Sequence, residues 1–158
     1  MKDIVTFFLS GKKYGVEVSR MQGVENYIEP AKTPEMPECL AGVVSIREEW
    51  IPVVDLRKRL VLPVTEITFD TKLFVLRTTH GKLAFVADGI SKIVRAEDNE
   101  IQSFPALVKT DATSYVEFIV RSEGVLVLVI NSDGILSEDE WKAVQKVVDD
   151  MKTGGSND

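Results

Sequence analysis

Apolar residues in this chain fall in short runs, rich in Val, Ile, Phe and Tyr and bounded by Gly, Pro, Asp or Ser, a rhythm that predicts β-strands through most of the sequence. Strands are expected over 4–9, 14–18, 21–27, 42–46, 50–55, 73–78, 83–87, 90–95, 116–121 and 125–130. The pairs Ser10-Gly11, His80-Gly81 and Glu123-Gly124 mark hairpin reversals, because Gly tolerates positive φ. Glu48-Glu49 is read as a further turn tip. Pro30, Pro34 and Pro37 each lack the ladder donor, so the segment they mark is a connecting loop. Pro37 at a start and Gly42 at a stop then predict one helical turn over 37–41 with Leu40 facing inward. The period changes only near the C-terminus. There Ser137 and Glu140 have capping-box spacing, and Trp141, Val144, Val148 and Met151 form an apolar stripe at helical period, predicting a helix over 138–152. Residues 153–158 are small and polar and are expected to form a flexible tail.

The two halves of the chain resemble each other. Residues 14–18 lie over 83–87, and holding that alignment places Lys13 on Lys82, Met21 on Ile90 and Val24 on Ile93. Phe7-Phe8-Leu9-Ser10 similarly matches Val75-Leu76-Arg77-Thr78, and a slightly longer offset places Arg47 over Arg121, each between two apolar runs. The expected architecture is therefore all-β: two copies of one unit of about five strands, each able to close into a small barrel that removes exposed sheet edges.

Composition narrows the function. At 158 residues, with 44% hydrophobic and 28% charged, the chain has the make-up of one folded domain with its own core. Cys39 and His80 are the only residues of their kinds, which excludes an internal disulfide and a Cys/His zinc site and fits a reducing compartment. The apolar run at 4–9 is broken by Thr6 and is too short for a signal-peptide core, and the run at 125–130 is strand-sized, so a cytoplasmic protein without membrane insertion is expected. A net charge of −6 and a pI near 4.9 oppose phosphate-backbone binding, so no nucleic-acid partner is expected. The local exception, Arg57-Lys58-Arg59, is read as a solvated strand or turn end. Catalytic groups are sparse. His80 lies in a turn, Cys39 in a short apolar segment, the acidic groups of 138–140 and 149–150 on a helix, and no Gly-rich phosphate cradle is present. No catalytic residue, cofactor or metal is expected.

One stretch carries more information than its composition. Residues 40–57, LAGVVSIREEWIPVVDLR, resemble the hallmark of CheW-like domains: a Gly, an apolar run, an Arg followed by a turn, then apolar-Pro-apolar-apolar-Asp-Leu-Arg. Three further pieces agree in order: Tyr14-Gly15-Val16, the VADGISKI stretch from Val86 to Ile93, and VLVIN from Val127 leading to Ile135-Leu136. The likeness spans roughly residues 4 to 150. It implies two five-stranded SH3-type barrels in a single domain over 1–152, the first over about 14–70 and the second over about 71–136, joined by the N-terminal strand. It also implies a non-catalytic adaptor that couples chemoreceptors to a CheA-type histidine kinase, with the groove between the barrels taking the receptor's helical tip and the barrel ends pairing with the kinase regulatory domain. Carried over by position, Met21, Val24, Ile90 and Ile93 are apolar groove candidates and Arg47 the charged contact beside them. The chain resembles the stand-alone adaptor, a monomer when isolated.

The chain departs from the family pattern in two places. Glu48 stands where the family usually has Gly after the Arg, and Tyr115-Val116-Glu117-Phe118-Ile119 is bulkier than usual, as in a divergent paralogue. Two other readings of the same residues stay open: a ligand-binding or enzymatic barrel domain using the inter-barrel cleft with Arg47, Glu48 and Glu49, and an oligomer joined through strand edges. Barrel core and groove share one apolar pattern, so each of the four apolar candidates is open to either placement.

Overall fold

Each of the ten apolar runs forms a strand in the computed structural model, which describes residues 1–103 and 115–155. The chain order is β1 (Lys2–Leu9), β2 (Lys12–Glu17), β3 (Met21–Asn26), β4 (Leu40–Ile46), β5 (Glu49–Val54), α1 (Leu56–Leu60), β6 (Lys72–Thr78), β7 (Gly81–Ala87), β8 (Gly89–Ala96), β9 (Ile101–Ser103), β10 (Val116–Ser122), β11 (Val125–Ile130) and α2 (Glu138–Gly155). One sheet has the order β8-β1-β2-β11-β10-β9 and the other β3-β6-β7-β5-β4.

Local chemistry explains where the elements differ from expectation. The helical turn expected over 37–41 is a single reversal, closed by the Leu40 N–H donating to the Pro37 carbonyl at 3.1 Å. Leu40 is buried as expected, but it opens β4, because the β-branched residues after it favour extended backbone and Val43 pairs in both directions with Ala31. The short helix lies instead at α1, where Asp55 caps the first turn by accepting from the Lys58 N–H at 3.2 Å. The β1–β2 and β10–β11 turns are Ser10-Gly11 and Glu123-Gly124 as expected. The others shift by one residue: Thr79-His80 joins β6 to β7, and Arg47-Glu48, not Glu48-Glu49, joins β4 to β5. Helix α2 continues through Gly155, so 153–155 are helical where a tail was expected, and 156–158 lie outside the described residues.

The repeat is present, but the third strand of each copy crosses to the other sheet. Strands β6, β7 and β8 repeat β1, β2 and β3, and β10 and β11 repeat β4 and β5, so the two sheets share one five-strand order, to which β9 is added beside β10. Their single parallel pairings also correspond, Gly15 with Val129 and Ala84 with Val53. This registration sets Arg47 opposite Glu123 and not Arg121. It also departs from the expected division near residue 70, since β3 to β7 form one sheet while β1 and β2 join β8 to β11 in the other.

Side-chain alternation then divides the interior in three. Leu73 and Val75 of β6 point into one barrel with Val44, Ile46, Ile51, Val53 and Ala84. Ile4 points into the other with Phe118, Val120, Val127 and Val129. Phe74 and Leu76, on the opposite face of β6, join Val5, Phe7, Tyr14, Phe85 and the α2 residues Trp141 and Val144 in a core shared by both sheets. Phe7 is its centre, with ring centroids 5.0 Å from both Phe74 and Phe85. In each sheet an edge strand is tied to a hairpin turn, β3 to the β4–β5 turn and β8 to the β10–β11 turn. Arg47 in the β4–β5 turn pairs with Glu25 on β3 at 2.6 Å, and Glu123 in the β10–β11 turn pairs with Lys92 on β8.

Candidate functional site

Four of the five site residues expected from the sequence lie on the two strands that end the sheets, β3 and β8. A regular strand would send Met21 and Val24 to opposite faces, since they are an odd number of residues apart. A register shift between Met21 and Gly23 corrects this: Met21 pairs with Leu76 and Val24 with Phe74, and both partners face the shared core. The equivalent shift occurs in β8. Ile90 pairs with Phe7 and Ile93 with Val5, again two residues of the shared core, and the register slips between them. The two bulges thus turn all four apolar candidates toward the inter-barrel side. Met21 is half-buried and packs on the shared core, whereas Val24, Ile90 and Ile93 are exposed, Ile93 at 64%.

Arg47 is placed differently. It sits at the turn tip with φ 51° and its side chain is 81% exposed. Its partner Glu25 follows Val24 in β3 and pairs with Leu73, which faces the barrel interior, so Arg47 approaches β3 from the barrel mouth and not from the shared-core side. Glu48 has φ 67°, the conformation a Gly would hold without strain. Glu49 points away to Lys82 at 2.8 Å. Arg47, Glu48 and Glu49 therefore do not converge on one cleft: Arg47 turns to β3, Glu49 lines a recess beside α2 with His80, Lys82 and Trp141, and the aromatic core fills the space between the barrels.

The remaining candidate chemistry is engaged in packing. The His80 ring stacks on Trp141 at 5.2 Å, and its Nε2 lies 3.1 Å from a Glu138 carboxylate oxygen, so it helps dock α2 and is not a free loop residue. Burial pushes the Cys39 thiol up, as does the Glu140 charge, against a smaller opposing pull from Arg59. That keeps it a thiol at neutral pH. The basic triplet is not a solvated turn end. Arg57 is largely buried against Asp88, and Arg59 against Glu140 and the Tyr115 hydroxyl, leaving Lys58 as its exposed member. Among the described residues no group of three His, Cys, Asp or Glu side chains could hold a metal ion, and no helix is long and apolar enough to cross a membrane.

The sequence missed Asp88 and Asp133. Each carboxylate receives an arginine and a hairpin-turn amide from elsewhere in the chain. Asp88 lies inside the VADGI stretch, but no spacing rule links it to Arg57.

Comparison with known proteins agrees with this architecture. The family model described as CheW-like domain matches residues 3–140. The chain is 29% identical over 136 residues to the chemotaxis protein CheW of Bacillus subtilis (strain 168), covering 86% of this chain and 87% of that one. It is 22% identical over 146 residues to the chemotaxis protein CheW of Klebsiella aerogenes, covering 92% and 88%. The crystal structure of the scaffolding protein TtCheW from Thermoanaerobacter tengcongensis superimposes with a TM-score of 0.79 at 25% identity, covering 88% of this chain and 94% of that one. With its paired barrels, its hallmark block on β4, β5 and α1, and a family match over nearly its whole length, this chain belongs to the CheW-like domain family.

Proposed function

We propose that this protein is a chemotaxis coupling adaptor that joins chemoreceptors to a CheA-type histidine kinase through protein surfaces alone, in the cytoplasm and without catalysis. The observation that carries the reading is the pair of equivalent bulges that turn Met21 and Val24 on β3, and Ile90 and Ile93 on β8, toward the inter-barrel side. A helical receptor tip laid along that side meets apolar side chains whose strands are held by a shared aromatic core. Arg47 supplies an orienting charge at the neighbouring barrel mouth, where Glu25 already holds it, so a receptor carboxylate must compete with Glu25 for the guanidinium. The barrel ends remain for the kinase regulatory domain.

Calorimetry tests both contacts. The full chain should bind the regulatory domain of a CheA-type kinase from the same organism and, separately, a soluble receptor signalling-tip fragment. Arg47→Ala should weaken receptor binding about tenfold, as expected for loss of a charge-assisted hydrogen bond, and leave kinase binding unchanged. Absence of binding to both partners would overturn the adaptor reading, and equal losses on both would overturn the assignment of Arg47.

A further inference from the structure

The two repeats match in backbone but are opposite in charge at their joints. After β5 the chain carries Arg57, and at the corresponding place after β11 it carries Asp133. Arg57 pairs with Asp88, which lies on the crossover from β7 to β8. Asp133 pairs at 3.0 Å with Arg20, which lies on the crossover from β2 to β3. A hairpin-turn amide completes each joint. The Ser10 N–H donates to Asp88 Oδ2 at 2.7 Å, and the Thr79 N–H donates to Asp133 Oδ1 at 2.9 Å. Ser10 and Thr79 occupy equivalent turns of the repeat. Each joint therefore ties three segments together, and in both cases one of the three is the crossover that delivers an edge strand to the inter-barrel side.

We propose that Asp88 and Asp133 are positioning residues: Asp88 holds the root of β8, with Ile90 and Ile93, and Asp133 holds the root of β3, with Met21 and Val24. The functional weight of this inference rests on the adaptor reading above, whereas the joints themselves do not. They are unequal. Asp88 also accepts from the Thr65 hydroxyl at 2.6 Å, and its own N–H donates to the Phe8 carbonyl of β1 at 2.8 Å, whereas the Asp133 N–H donates only locally, to Asn131 Oδ1 at 3.1 Å. The Arg57–Asp88 side chains are 12% and 20% exposed, against 37% and 27% for Arg20–Asp133. Water competes more effectively for the second pair. The β8 wall is accordingly the fixed one, and the β3 wall is the one that adjusts when a partner docks.

Amide hydrogen exchange on the full chain tests this strand by strand. Asp133→Asn should speed exchange in 21–26 about tenfold while leaving 89–96 unchanged, and Asp88→Asn should do the reverse. The decisive variant is the double swap Arg20→Asp with Asp133→Arg, which gives the β3 joint the polarity that the β8 joint already has. With the Thr79 N–H passing to the carboxylate introduced at position 20, as the Ser10 N–H goes to Asp88 on its own crossover, the swap should restore protection in β3 and recover receptor-tip binding that Asp133→Asn has lost. Uniform acceleration across both strands, or failure of the swap to recover what either single change loses, would overturn the proposal. A wild-type chain that shows the local exchange pattern but binds no receptor fragment would instead remove the adaptor reading and leave the joints standing.

Discussion

At the scale of single residues, the turn at Arg47-Glu48 holds both residues at positive φ. A side chain there costs about 1–2 kcal/mol relative to Gly, part of which Gly returns through its larger unfolded-state entropy. Glu48→Gly should therefore raise stability by about 0.5–1 kcal/mol in thermal unfolding, and a lower midpoint would refute the strain argument. Gly15 makes the opposite case. A Cβ added there would lie 2.5 Å from Ile4 Cγ2 and 3.2 Å from Val127 Cγ1, inside the barrel core. Gly15→Ala should cost about 1–3 kcal/mol by overpacking, measured by denaturant titration, although the equivalent residue of the other repeat is Ala84. The sequence showed that Gly15 and Ala84 correspond but not that their surroundings differ. That depends on which residues lie across the barrel, and no local pattern encodes it.

Among elements, α2 was the most legible from the sequence and its docking the least. The capping box is formed as its spacing implied: Glu140 N–H donates to Ser137 Oγ at 3.1 Å and Ser137 N–H to Glu140 Oε1 at 2.9 Å. The apolar stripe told which face turns inward, since Trp141, Val144 and Val148 are all buried. It did not tell that the same Glu140 also receives Arg59 from α1. Burial works against the Glu140 charge, but the Arg59 guanidinium and the Ser137 amide outweigh it and hold its carboxyl below the usual value of 4.5. A depressed folded-state value stabilises the fold above the unfolded glutamate range, and that contribution is lost as pH falls through the folded value. Acidification through the carboxylate range should thus weaken α2 docking, visible as a falling unfolding midpoint whose acid dependence Glu140→Gln makes shallower. If the variant keeps the wild-type acid dependence, the dependence arises elsewhere. Helix α1 was invisible because five residues span too little of a period to register.

For the molecule as a whole, ten of the described strands, the three hairpins β1–β2, β6–β7 and β10–β11, the repeat and the family likeness were present in the sequence, whereas β9 and the pairings between strands distant in the chain were not. Runs such as 73–76 are buried on both faces, Leu73 and Val75 in one barrel and Phe74 and Leu76 in the shared core, so hydrophobicity alone could not say which face belongs where. The site was partly legible for a similar reason. Spacing placed Met21 on Ile90 and Val24 on Ile93, but only the bulges show how residues an odd number apart come to one side. The crossing of β3 and β8 between sheets determines what could be made from part of this chain. A cut in the exposed connection near Glu66 leaves each piece with strands of both barrels and a complete set of neither. Residues 1–66 and 67–158, prepared separately, should each lack cooperative unfolding, and mixing them should regenerate the native circular-dichroism spectrum with second-order kinetics; an independently folded half would contradict this. Each half of the molecule is in effect the folding template of the other, and the covalent link through the 61–71 connection turns what would be a concentration-dependent assembly into an intramolecular event.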